Sequence, residues 1–144
     1  MILLDTNVVS EVMRPKPSEN VLYWLNQQHS GSLFISSITI AEICYGLRVL
    51  PNGQRRQQLE ERFEAFVAQG FSGSILNFDE SAARAYAELM GQRKEKGCSM
   101  NLPDGQIAAV AQVNHLTLAT RNIRDFIMCS IELINPFEQP PAAP

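Results

Sequence analysis

Four short polar segments hold the residues best suited to chemistry. Asp5 closes the apolar run Ile2-Leu3-Leu4 and is followed by Thr6 and Asn7. Glu42 interrupts an otherwise apolar stretch from Ile38 to Leu47. Asp104 stands in Leu102-Pro103-Asp104-Gly105, directly ahead of an Ala-rich run. Asn122 and Asp125 lie within Thr120-Arg121-Asn122-Ile123-Arg124-Asp125-Phe126. Carboxylates gathered by folding repel one another and raise one another's pKa. A divalent cation relieves that repulsion, and hard oxygen donors suit Mg²⁺ or Mn²⁺. One or two such ions, roughly 3.5–4 Å apart if two bind, can activate water and clamp a phosphodiester under in-line attack.

Each acid taken singly has a structural alternative. Asp5 can cap the helix that follows it. Thr39-Ile40-Ala41-Glu42 matches the capping-box pattern. Pro103-Asp104-Gly105 is a turn signal. Residues 120–126 can be a plain loop.

The elements that must position these groups alternate. Residues 1–5 read as a buried strand, Val8 to Met13 as a short helix, and Arg14-Pro15-Lys16-Pro17 as a break. Ser18 is expected to cap a helix with Val21, Leu22 and Leu25 on one face. Leu33 to Ser36 forms a second strand, and a helix over about 39–50 places Ile40, Ile43, Cys44 and Leu47 inward. An amphipathic helix over about 54–68 buries Leu59, Phe63, Phe66 and Val67. Ser74 to Phe78 forms a third strand, and Asp79 caps a helix running to about Lys96. The Ala-rich helix after Gly105 leads to strands at Leu116–Ala119 and Ile131–Ile134. Strands alternating with helices predict an α/β fold with a parallel sheet covered on both faces. In such sheets the ligand crevice lies beyond the carboxyl ends of the strands, where strand order reverses. All the polar segments above fall at that end.

Composition narrows the classes. The 144 residues are 45% hydrophobic and carry a net charge of −3. That balance suits one globular domain and argues against a basic nucleic-acid coat. Cys44, Cys98 and Cys129 form no C-x-x-C pair, so structural zinc and a disulfide framework are not expected, and buried or half-buried thiols in a reducing cytosol are. No run approaches the ~20 apolar residues of a membrane span, and the apolar start is too short for a signal peptide. A cytoplasmic protein is expected. There is no Gly-rich phosphate loop, and His29 and His115 lie away from the acids in sequence. Trp24 and the seven Phe are assigned to core or dimer packing.

The four segments, in this order and spacing, resemble a PIN domain, and within it the VapC and FitB toxins. The resemblance covers about residues 1–137, leaving 138–144 as a disordered Pro/Ala tail. It implies a three-layer sandwich with a central parallel sheet of about five strands, and a Mg²⁺- or Mn²⁺-dependent endoribonuclease. Asp5, Glu42 and Asp104 would be the core acids and metal ligands. Asn122 or Asp125 would fill a fourth polar position. Thr6, Asn7 and Thr120 would orient the carboxylates. The resemblance further implies a homodimer, an RNA substrate, and a cognate antitoxin that also carries the link to operator DNA.

Arg121 and Arg124, flanking Asn122, are the first candidates for contacting an RNA backbone, ahead of Arg14 and Lys16. Two competing readings stand beside this one. One is a phosphohydrolase of another α/β class, although Asp5-Thr6-Asn7 lacks the second acid of D-x-D-x-T. The other is a metal- and partner-binding module with little or no turnover.

Overall fold

The structure, a computed structural model, describes residues 1–138, so the expected tail lies outside the described residues apart from Glu138. Among the described residues, five short strands, β1 (Ile2–Leu4), β2 (Leu33–Ser36), β3 (Ile75–Leu76), β4 (Thr117–Ala119) and β5 (Leu133–Ile134), form one sheet. All pairings are parallel, in the order β3-β2-β1-β4-β5. Within the same described residues seven helices join them: α1 (Thr6–Val12), α2 (Glu19–Asn26), α3 (Ser37–Arg48), α4 (Gln54–Gly70), α5 (Glu80–Glu95), α6 (Leu102–Val113) and α7 (Ile123–Phe126).

Side chains alternate across the sheet, so each strand feeds two cores. Leu3 and Leu118 face a cluster with Leu89, Ile107, Val110 and Phe126, from α5, α6 and α7. Leu4, Ile35 and Ala119 face a second cluster with Val8, Trp24, Ile43 and Phe63, from α1 to α4. This is the expected three-layer arrangement. Leu3, Leu4 and Leu118 are wholly buried, each contributing about 1.5–3 kcal/mol of transfer free energy.

Local signals set most helix starts. Asp5, Ser18, Ser36, Asp79 and Asn101 cap α1, α2, α3, α5 and α6 through their side chains. Two expectations about caps fail. The helix after β2 begins at Ser37, not Thr39, because Ser36 Oγ accepts from the Thr39 amide. No capping box therefore engages Glu42. Likewise, Pro103-Asp104-Gly105 is no turn but the first turn of α6, capped by Asn101, whose Oδ1 accepts from the Asp104 amide. Proline is tolerated there because its missing N–H would lack a partner anyway. Gly105 reflects close packing of α6 on α5. A Cβ at that position would sit 2.6 Å from Met90 Sδ and 2.9 Å from Tyr86 Cε2.

Other differences are smaller. In α2 the inward residues are Val21 and Trp24, while Leu22 is exposed. Cys44 is exposed on α3 rather than inward, whereas Cys129 is buried. Residues 123–126 form the short helix α7 instead of plain loop. Among the described residues, no helix is long and apolar enough to cross a membrane.

The topology locates the crevice. From β1 the chain moves outward to β2 and β3, then returns across the sheet to β4 and β5. Strand order thus reverses between β1 and β4, and their carboxyl ends carry Asp5 and Thr120. The Asp5 amide donates to the Ala119 carbonyl at 2.9 Å, extending the ladder to the crevice floor.

Candidate active site

Asp5 stands at the reversal point and is almost fully buried, with 3% of its surface exposed. Its position after the strand leaves its side chain to serve two purposes. Oδ1 accepts from the Thr6 amide at 2.8 Å, capping α1. Oδ2 accepts from Thr120 Oγ1 at 2.8 Å and from Asn7 Nδ2 at 3.2 Å. The cap and the site are therefore the same carboxylate, and the two readings of Asp5 do not compete.

Thr120 is saturated. Its hydroxyl donates to Asp5, and its lone pairs accept from Asn7 Nδ2 at 3.3 Å and the Asn122 amide at 3.0 Å. Asn7 in turn accepts the Arg121 amide on Oδ1 at 3.2 Å. One hydroxyl and one amide thus lock β1, α1 and the loop after β4 around Asp5.

Glu42 reaches the same place from α3. Thr6 Oγ1 donates to Glu42 Oε1 at 2.6 Å. A hydroxyl carries one proton, so Thr6 must accept from Thr39 Oγ1 at 3.0 Å, and Thr39 from Ser36 Oγ at 3.5 Å. This relay runs from the buried end of β2 to an otherwise exposed carboxylate. Asp104 arrives from the first turn of α6, half-buried.

Asp5, Glu42, Asp104 and Asn122 line one open pocket of about 480 Å³, with Thr6 and Arg121 on its walls. Burial, opposed by the hydrogen bonds from Thr120 and Thr6, pushes the Asp5 carboxyl up to about 6, and the charges of Asp104 and Glu42 add to the rise. Burial also raises Asp104, aided by the charges of Asp125 and Glu42. The acids therefore sense one another, as the clustering argument requires. Asp125 is close enough to act on Asp104, but it lines an adjoining hollow with Arg124 rather than the acid pocket itself. Asn122 borders both hollows.

Arg121, like Asn122, borders both hollows, its guanidinium 3.8 Å from the Phe137 ring centroid. Arg124 is exposed on the adjoining hollow. Arg14 lines the acid pocket, and Lys16 is exposed beyond it. His29 and His115 are exposed, and neither lines the pocket.

Sequence reasoning gave Glu11 no role, yet it lines this pocket and is buried. A signal was present. Glu11 is one helical turn beyond Asn7, on the same face, inside an apolar helix.

The donor set is all oxygen. Among the described residues, no three His, Cys, Asp or Glu side chains close into a cage able to hold an ion alone. An open set of carboxylates still fits Mg²⁺ or Mn²⁺, which commonly binds through one or two carboxylates and keeps waters or phosphate oxygens. An acid raised chiefly by burial, and further by its acidic neighbours, is the arrangement a cation stabilises.

The comparisons with known proteins agree with this geometry. The model of the PIN domain family matches residues 2–127. The chain is 41% identical to "VapC ribonuclease Y4jK" of Sinorhizobium fredii, over 96% of this chain and 99% of that protein. It is also 41% identical to "Toxin FitB" of Neisseria gonorrhoeae, over 95% of this chain and 99% of that one. Among solved structures, FitAB bound to a DNA fragment superposes with a TM-score of 0.90 at 38% identity, covering 99% of this chain and all of that one. The reversal-point acids, the five-stranded parallel sheet and these full-length similarities agree, and the chain belongs to the PIN domain family.

Proposed function

We propose that this chain is a Mg²⁺- or Mn²⁺-dependent endoribonuclease and the toxin of a toxin–antitoxin pair. One observation carries the reading: Asp5, Glu42 and Asp104, from β1, α3 and α6, line a single pocket at the reversal point of the sheet. Similarity to a VapC ribonuclease along nearly its whole length supports the choice of RNA as substrate, and similarity to the FitB toxin supports the role of toxin.

In this reading Asp5 and Asp104 hold the cation, with Glu42 contributing directly or through water. When bound, the ion activates water and offsets the charge of the attacked phosphodiester. The protein's own groups do the rest. Thr120 and Asn7 fix the Asp5 carboxylate, and Thr6 fixes that of Glu42. Asn122 offers a neutral carbonyl oxygen at the fourth polar position, while Asp125 acts on Asp104 by charge from alongside. Arg121 faces the RNA backbone beside the acids, and Arg124 does so further along.

The same reading places the chain in the cytoplasm, as a homodimer held by an antitoxin. That partner would carry the DNA-binding domain, so operator DNA is reached only through it. The solved complex of FitAB with DNA supports this assignment.

The test is cleavage of single-stranded RNA by the purified chain in Mn²⁺ and in Mg²⁺, beside D104N. The parent should cleave and D104N should not, with unchanged circular dichroism. Equal cleavage by both would remove the catalytic assignment.

A further inference from the structure

Glu11 is a buried carboxylate that the mechanism above does not use. It is 5% exposed, near the end of α1. Three groups meet it. Arg14 Nη1 donates to Oε1 at 3.3 Å, the Ser18 amide donates to Oε2 at 2.9 Å, and Arg121 Nη2 approaches Oε1 at 3.6 Å. The two arginines come from opposite parts of the chain, one after α1 and one after β4. Both are more than half exposed, and both line the acid pocket.

We propose that Glu11 is a positioning residue that holds Arg14 and Arg121 as a paired clamp for the phosphates of the substrate strand. The proposal rests on the nuclease reading above. Two guanidiniums placed side by side repel each other, and each long side chain loses rotamer freedom when fixed. A carboxylate shared between them removes the repulsion and fixes both heads. The pair keeps a net positive charge on the pocket that the acids also line. Each guanidinium has five N–H donors, so one directed at Glu11 leaves others for phosphate oxygens. Phe137 fixes the Arg121 guanidinium from a further direction, its ring centroid 3.8 Å away. The cost of burying the Glu11 charge is met by two cations and one amide, which a purely packing role would not require.

Glu11 also ties the end of α1 to the start of α2 through the Ser18 amide, so a structural role must be separated from positioning. E11Q separates them. It keeps an acceptor for that amide and the side-chain shape while removing the charge. The readout is the affinity of a fluorescein-labelled single-stranded RNA for the full chain carrying D104N, across a series of KCl concentrations. E11Q should weaken binding by about tenfold and flatten the salt dependence by about 1.4 in log–log slope, the value for two lost phosphate contacts on a single strand. R14Q with R121Q, both on exposed side chains, should do the same, and adding E11Q to that pair should change little. Steady-state cleavage without D104N should show a raised KM at nearly constant kcat.

A merely structural Glu11 would lower the melting temperature with the salt slope unchanged, and that result overturns the clamp. So does an E11Q effect that persists undiminished in the R14Q/R121Q background. If the parent cleaves RNA while E11Q matches it in KM and slope, the clamp fails and the nuclease reading stands. If the parent cleaves no RNA in either metal, both fail.

Discussion

The two ends of the sheet are built from the same strands but differ in what they gather. At the carboxyl end Asp5, Glu42, Asp104 and Glu11 share one pocket, and Asp5 is buried among them. At the amino end a smaller hollow holds a single exposed acid, Glu132, which accepts from Thr117 Oγ1 at 3.2 Å. His115 borders that hollow too, exposed and with a left-handed backbone, as does Ser130. Those residues end tight turns into β4 and β5, and their polarity is answered by solvent. The difference follows from topology. Strand order reverses between β1 and β4, so the connections leaving their carboxyl ends diverge and open a crevice at that end of the sheet. Like charges at one end and turn chemistry at the other are thus two outcomes of one chain path.

Neutralising one acid at each end should break the symmetry most visibly. D104N should lower Mn²⁺-dependent RNA cleavage by about a thousandfold, the scale of losing several kcal/mol of metal-assisted stabilisation. E132Q should leave cleavage within about twofold. Initial rates on one labelled RNA check both.

The next effect is on stability. Burial lifts Asp5 from its ordinary 3.8 to about 6, so the folded protein binds this proton more tightly than the unfolded chain does. In chelator, the resulting stabilisation is full below the ordinary carboxylate value. It is lost as pH rises through about 6, a fall of about 3 kcal/mol. Asp104, raised in the same direction, steepens that fall. Urea unfolding from acid to neutral pH should trace it. D5N should flatten the curve while retaining the cap, since Asn caps as well as Asp. E132Q should leave the curve unchanged.

A smaller loss should follow from T120V, which removes the donor to Asp5 and the acceptor for Asn122 without touching a carboxylate. Misorientation of a ligand costs about ten- to a hundredfold in activity or metal affinity. The hydrogen bond lowers Asp5, so its removal should also move the acidic limb of the pH–rate profile upward. The counterpart T117V, at the amino end, should change stability by no more than about 0.5 kcal/mol.

How much of this was legible in the sequence differs between the same two regions. The parallel α/β sheet and the acids at strand ends followed from alternation and local chemistry, whereas the order of the strands came only from the fold. Asp5, Ser18 and Asp79 were readable as caps because capping depends on neighbours within three residues. Two other helix starts were misread where two local signals overlapped. Ser36 outcompeted Thr39, and Asn101 outcompeted the Pro-Asp-Gly turn. Glu42 is held at the pocket by a contact that sequence does not display, the hydroxyl of Thr6 from the start of α1. Glu11 escaped because one of its partners, Arg121, is brought near only by the folded sheet. Whether Asn122 or Asp125 faces the acid pocket likewise depended on α7, whose single turn leaves Asn122 bordering both hollows and Asp125 only the adjoining one.

Titration of Mn²⁺ into the purified chain, read by isothermal calorimetry, tests the acid pocket most directly. The parent and E132Q should bind with equal affinity, while D5N and D104N should each lose binding by tenfold or more, on the order expected when a carboxylate ligand is removed. A parent that binds no Mn²⁺, or a D5N/D104N double variant that binds as tightly as the parent, would contradict the account.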